Sequence, residues 1–211
     1  SSVIRNGLDI SEFDAAAAQP TAPLPPQKGA LTIGSVGRLE PQKGFSYLLA
    51  AMRAIRESVP NARLWIAGAG PEAPELGSRA KQLGLAETVH FLGARDDVPA
   101  LMRRVDLFVL PSLWEGLPNV ALEAMAARRA VVATNVDGTP EAVVDGTTGL
   151  LVPPRNPDAL AQAIISLLND ESRRRQFGDA GRRRVETEFG MARMVRQTEE
   201  LYRATLREAG Q

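Results

Sequence analysis

Short apolar runs punctuate the chain at residues 31–36, 63–67, 89–92, 107–110, 130–133 and 149–152. Most are apolar at consecutive positions rather than alternate ones. That is the pattern of strands buried on both faces, as in a parallel sheet covered by helices. Between the runs the spacing changes. Phe45, Leu48, Leu49, Met52 and Ile55 fall at the intervals of one buried helical stripe, and residues 74–83, 98–103 and 119–127 also read as helical. Strand and helix alternate, so the pattern predicts an α/β fold: a doubly wound parallel sheet of about six strands, with helices on both faces and right-handed crossovers. Ligands in such sheets bind outside the carboxyl ends of the strands.

The two ends read differently. Residues 3–13 form a short opening segment with a turn at Asn6-Gly7, followed by Ala15 to Ala18 and then Pro20, Pro23, Pro25 and Pro26. Proline lacks the amide hydrogen that regular structure uses, so residues 1–29 are expected to be an irregular opening and connection to a domain at 30–188. After Pro157 the chain is predicted helical to its end. Met191, Met194, Val195, Thr198, Leu201 and Tyr202 mark one face of a last helix at 189–211, whose plain reading is packing on its own domain. The start at Ser1-Ser2, without Met, reads as a piece of a longer protein.

A length of 211 residues suits one α/β domain. Lys plus Arg and Asp plus Glu are 25 each, so no net field draws the chain to nucleic acid. Two local runs, Arg173-Arg174-Arg175 and Arg182-Arg183-Arg184, read as a solvated helix face, with a weak contact to anionic lipid as the other reading. Cysteine is absent, which removes disulfides and a thiol nucleophile and fits a reducing compartment. No apolar run approaches the ~18 residues of a membrane span, and no signal peptide is visible. The expected location is cytoplasmic, at most peripheral on the membrane face.

The candidate chemistry sits at strand ends. After the first strand comes Gly37-Arg38-Leu39-Glu40-Pro41-Gln42-Lys43-Gly44. Gly37 lets a ligand approach the backbone, and Arg38 and Lys43 place two cations where a diphosphate fits. After the second strand, Gly68-Ala69-Gly70-Pro71 is a weaker signal, often only a tight turn. After the fourth, the loop carries Glu115 and leads into a helix carrying Glu123. If Asn119 caps that helix, amides near Asn119 and Val120 face outward at its positive end. One carboxylate near a sugar and one near a ribose, with phosphate on the amides between them, make a coherent site. Residues 137–141 and 145–152 read as its rim. His90, the only histidine, reads as structural. No Asp-x-Asp and no His/Cys cluster has metal spacing, so no metal is expected.

In sequence order these segments resemble the C-terminal, donor-binding domain of glycosyltransferase family 4, which has the GT-B fold. The resemblance runs from Asn6-Gly7-Leu8-Asp9 through Phe91-Leu92-Gly93 and the pair Glu115/Glu123 to Asp145-Gly146-Thr147-Thr148-Gly149-Leu150-Leu151-Val152-Pro153. It implies a Rossmann-like domain that binds a nucleoside-diphosphate sugar without a cofactor or metal. It implies that Arg38 and Lys43 hold the diphosphate, Glu115 the donor sugar, the Asn119 and Val120 amides the phosphate, and Glu123 the ribose. Gly93 to Arg95 would meet the base. The parent reaction would be retaining transfer to an acceptor hydroxyl. The chain's partner would be its own N-terminal acceptor domain, which the last helix would brace, and this half alone would bind without turnover. Two rivals are a GT-B nucleotide-sugar epimerase and a non-catalytic nucleotide-binding or interaction domain. One departure is Asp137-Gly138-Thr139-Pro140 before Glu141, where the family often has Gly-Gly.

Overall fold

The computed structural model describes residues 3–209; the first two and last two residues of the predicted end segments lie outside the described residues. Among the described residues six parallel strands form one sheet: β1 (Leu31–Val36), β2 (Ala62–Ala67), β3 (Val89–Gly93), β4 (Leu107–Leu110), β5 (Val131–Thr134) and β6 (Gly149–Val152). Their order is β3-β2-β1-β4-β5-β6. The fold is the expected Rossmann-like one, and each predicted strand is met to within one residue at either end.

Why the strands are apolar throughout is visible in β4. Leu107 and Val109 pack into one layer with Leu48, Leu49 and Met52 of α2 (Phe45–Ser58) and Ile164 of α7 (Pro157–Leu168). Phe108 and Leu110 turn to the other layer, with Phe13 of α1 (Ile10–Ala17), Leu122 and Met125 of α5 (Asn119–Ala126) and Val185 of α8 (Glu171–Glu188). Successive side chains point to opposite faces and both faces are covered. Each such large side chain contributes about 1.5–3 kcal/mol on burial.

Three expectations change. Ala15 to Ala17 are helical, not part of an irregular connection. Asp9 caps α1 by accepting from the amides of Ser11 and Glu12, and Phe13 and Ala17 are buried in the core. The irregular stretch starts beyond Ala18 and is pinned where Ala22 donates to Asp97 at 2.8 Å. Next, the helical C-terminal region is three helices, α7, α8 and α9 (Met191–Ala209), broken at 169–170 and 189–190. Finally, the arginine runs are not simply solvated. Arg174 is buried and donates to the carbonyls of Leu167 and Leu168, closing the end of α7. Arg182 grips Asp14 with two bonds, and Arg184 reaches the carbonyls of Glu141 and Ala142. One helix face turns these arginines inward and leaves their neighbours outside.

The start of α9 is tied to the opening segment: Leu8 donates to Phe189, Met191 donates to Leu8, and the Gly7 amide meets the Met194 sulfur. Farther along, Val195, Leu201, Tyr202 and Leu206 are exposed. No described helix is long and apolar enough to cross a membrane.

Candidate functional site

Strand order reverses between β1 and β4, where the chain winds away in opposite directions and leaves a crevice at the strands' carboxyl ends. The loops after these two strands hold the first group of predicted residues and are buttoned together. Leu113 donates to the Gln42 carbonyl at 2.7 Å, and the Gln42 side chain donates to the Trp114 carbonyl at 3.0 Å. A Cβ on Gly44, at φ 63, would lie 2.1 Å from the Pro111 carbonyl oxygen, so only glycine admits this approach.

Across that seam Lys43 and Glu115 meet. The Lys43 Nζ donates to Glu115 Oε1 at 2.5 Å, with 15% and 8% of their side chains exposed. Ser112 Oγ donates to the same oxygen at 2.6 Å. Oε1 is thus anchored twice, and Oε2 makes no hydrogen bond within the described residues. The backbone of Glu115 is held as well, its amide donating to Asp137 at 3.0 Å. Asp137 adopts a left-handed φ of 40, a conformation that glycine takes more easily. The departure from Gly-Gly at this rim thus introduces a carboxylate that fixes the Glu115 loop. Ser112 and Asp137 were not among the predicted site residues. Ser112 lies three positions before Glu115 in the same loop, and Asp137 was read only as part of the rim, where it departs from the family's Gly-Gly.

Arg38 extends from the same loop, 69% exposed, 3.3 Å from Glu40. Pro118, not Asn119, occupies the cap position of α5; Asn119 is its first residue. Pro118 precedes the first turn with extended backbone, so the stronger capping residue one step later is displaced into the helix. The amides of Asn119 and Val120 still precede the first amide bonded in that turn, Ala121, which donates to Pro118. Among the described residues they remain free donors at the positive helix end.

Gly68, at φ 142, brings the β2 loop against the β1 loop: a Cβ there would lie 1.8 Å from the Gly37 carbonyl oxygen. Gly70 similarly abuts Leu39. With Gly37, Gly68 and the backbone after Gly93 this packing shapes a groove of about 170 Å³. Arg95 borders the groove, but its guanidinium is turned away, bonded to Asp97 at 2.7 and 2.5 Å and to the Ala22 carbonyl. That guanidinium holds the Asp97 carboxyl below its ordinary pKa. Glu123 lies one turn into α5, facing a hollow lined by Leu8, Pro99 and Met191. Its side chain makes no hydrogen bond within the described residues, and burial raises its pKa. Burial also lowers the pKa of His90, which fits a structural role. Among the described residues no three His, Cys, Asp or Glu gather as metal ligands.

Two cations, the Glu115 carboxylate and the first amides of α5 therefore gather at the β1–β4 crevice, while Glu123 faces a hollow of its own one turn along α5. The arrangement can balance a diphosphate and grip hydroxyl groups on either side of it.

Comparison with known proteins gives the family. The model of the family described as Glycosyl transferases group 1 matches residues 21–184. The glycogen synthase of Mycobacterium tuberculosis is 36% identical over 97% of this chain and 49% of its own length. The alpha-maltose-1-phosphate synthase of Mycolicibacterium smegmatis is also 36% identical, over 95% of this chain and 56% of its own. The chain thus spans about half the length of the curated relatives it matches. Among solved structures, Anabaena HepE in complex with UDP-glucose superposes with a TM-score of 0.85 at 27% identity, covering 96% of this chain and 57% of that one.

Proposed function

The chain belongs to the group 1 glycosyl transferase family, and from that premise we propose that it is the donor-binding half of a retaining glycosyltransferase that moves a sugar from a nucleoside diphosphate to an acceptor hydroxyl. The observation that carries the reading is the meeting of Lys43 and Glu115 across the β1–β4 crevice, beside Arg38 and the free amides of α5. Negative charge in such a transfer develops on the departing diphosphate. Arg38, Lys43 and the helix end stand where that charge would be stabilised. Glu115, with Oε1 anchored and Oε2 free, takes the donor sugar. Glu123 takes the ribose, and the groove between Gly37, Gly68 and Gly93 takes the base. Arg95 contributes its backbone there, its side chain being engaged by Asp97. The solved complex of HepE with UDP-glucose supports a nucleotide sugar as ligand. The group 1 match supports transfer over elimination of the nucleotide by an epimerase, or over a domain that only binds.

The acceptor and the other wall of the active site belong to an N-terminal half, and the exposed stripe on α9 braces it. This half alone binds donor and transfers nothing. Calorimetric titration with UDP, GDP, ADP and their sugars tests the reading. One base series should bind, EDTA should leave that binding unchanged, and no added acceptor should be glycosylated. Failure of every nucleotide to bind would reject the assignment, and turnover by the chain alone would reject the division of labour.

A further inference from the structure

A hollow of about 560 Å³ lies away from the crevice, where α1, the C-terminal end of α5 and α8 come together. Its volume is that of a small-molecule site. Five arginines line it, Arg103, Arg128, Arg129, Arg175 and Arg182, against the two carboxylates of Asp14 and Asp179. With Glu171 and Glu186 salt-bridged to Arg175 and Arg182, the hollow keeps an excess of one positive charge over its four carboxylates.

Part of this charge is structural. Arg182 bonds to Asp14, to Glu186 and to the Ala126 carbonyl, and Arg128 bonds to Asp179 at 2.7 Å. The rest is not. Arg175 pairs only with Glu171, both largely exposed, an arrangement that contributes little. Among the described residues the Arg103 side chain has no hydrogen-bond partner. Arg129 donates to the Arg103 carbonyl at 3.2 Å, and its Nε is buried with no partner at all. Burial disfavours the Arg129 charge; Asp106 offsets this in part, and Arg103 adds repulsion. The backbone carries a further sign. Arg128 follows the end of α5 with φ 58, where glycine is the usual residue, so the chain accepts a left-handed arginine beside this hollow.

We propose that this hollow binds a phosphate monoester, with Arg103, Arg129 and Arg175 on its oxygens. Planar guanidiniums match phosphate oxygens in pairs, and the unpartnered donors of Arg103 and Arg129 face this hollow. Phe13 and Ala17 supply an apolar wall for the organic part of the ester. A soluble sugar phosphate and a lipid headgroup phosphate present this same group.

The test titrates the 211-residue chain with ribose 5-phosphate and, separately, with phosphatidylcholine vesicles with and without phosphatidylinositol 4-phosphate. Each is repeated with Arg103→Gln/Arg175→Gln. Both side chains lie at the surface, and Arg103→Lys/Arg175→Lys keeps the charge as a control on folding. The cations of the donor crevice are untouched, so any change reports this hollow. Saturable binding that the Gln variant weakens at least about tenfold, as loss of two charge-assisted bonds predicts, supports the proposal. Binding of the free ester identifies a soluble ligand, and binding only to phosphoinositide vesicles identifies a headgroup. No saturable binding of either probe, or equal binding by wild type and the Gln variant, overturns it.

Discussion

The crevice mouth and the last helix, the two surfaces that the proposed function assigns to donor and to an N-terminal half, are built in opposite ways. At the mouth, Lys43, Ser112, Glu115 and Asp137 bond to one another across loops from two strands, with the central pair largely buried. Along α9, Val195, Leu201, Tyr202 and Leu206 stand exposed with no described packing beyond the helix's first turns. The first surface is tied together by its own side chains, and the second is left uncovered among the described residues. Binding a small charged ligand rewards groups already in place, because ordering them is not charged to the binding step. A brace for another protein surface needs only an apolar face.

The sharpest way to break this comparison is to remove the cation at the mouth. Lys43→Ala leaves a nearly buried Glu115 carboxylate without its partner, and should destabilise the domain by about 3 kcal/mol in chemical denaturation. Adding Glu115→Gln should restore most of that stability without restoring nucleotide binding. A Lys43→Ala domain as stable as wild type would show that the mouth is not preassembled.

A smaller effect is expected on α9. Leu201→Ala should change stability by no more than about 0.5 kcal/mol, as for an exposed site. A loss of about 2–5 kcal/mol, the range for a core leucine, would mean that the helix is packed after all. Hydrogen exchange sharpens the point: amides from Val195 to Leu206 should exchange faster than those of β1 in a monomeric sample.

The smallest effect concerns Glu123. Burial raises its folded pKa, so the ionised carboxylate opposes folding at neutral pH, and this penalty disappears as pH falls through the folded pKa. Glu123→Gln should therefore raise the melting temperature slightly at pH 7. The gain should fade on acidification, while nucleotide affinity falls. A gain that grows on acidification would reverse the sign of this account.

Much of this was legible along the chain. Strands buried on both faces announce themselves by consecutive apolar residues, and β1, β4 and β6 fall where that pattern puts them. That Gly37, Arg38, Lys43 and Glu115 would lie at strand ends was legible because the loops after strands carry them. What local pattern cannot show is contact between distant segments. Lys43 and Glu115 are 72 residues apart, and only the strand order makes them neighbours. Arg95 is turned from the groove by a local salt bridge to Asp97, and across the chain by the Ala22 carbonyl, 73 residues away. Helix α1 was hidden by the prolines that follow it, although Asp9 three residues before Glu12 is a capping signal. The arginine runs misled because composition does not say which side of a helix faces the core; Arg174 lies inside while Arg175 lies outside.

The most direct test of the central claim is calorimetry of one nucleoside and its diphosphate on wild type, Arg38→Ala and the Lys43→Ala/Glu115→Gln pair. The account predicts that each cation's removal weakens diphosphate binding by about 1.5–3 kcal/mol and leaves the nucleoside almost unaffected. Equal losses for nucleoside and diphosphate, or none for either, would contradict it.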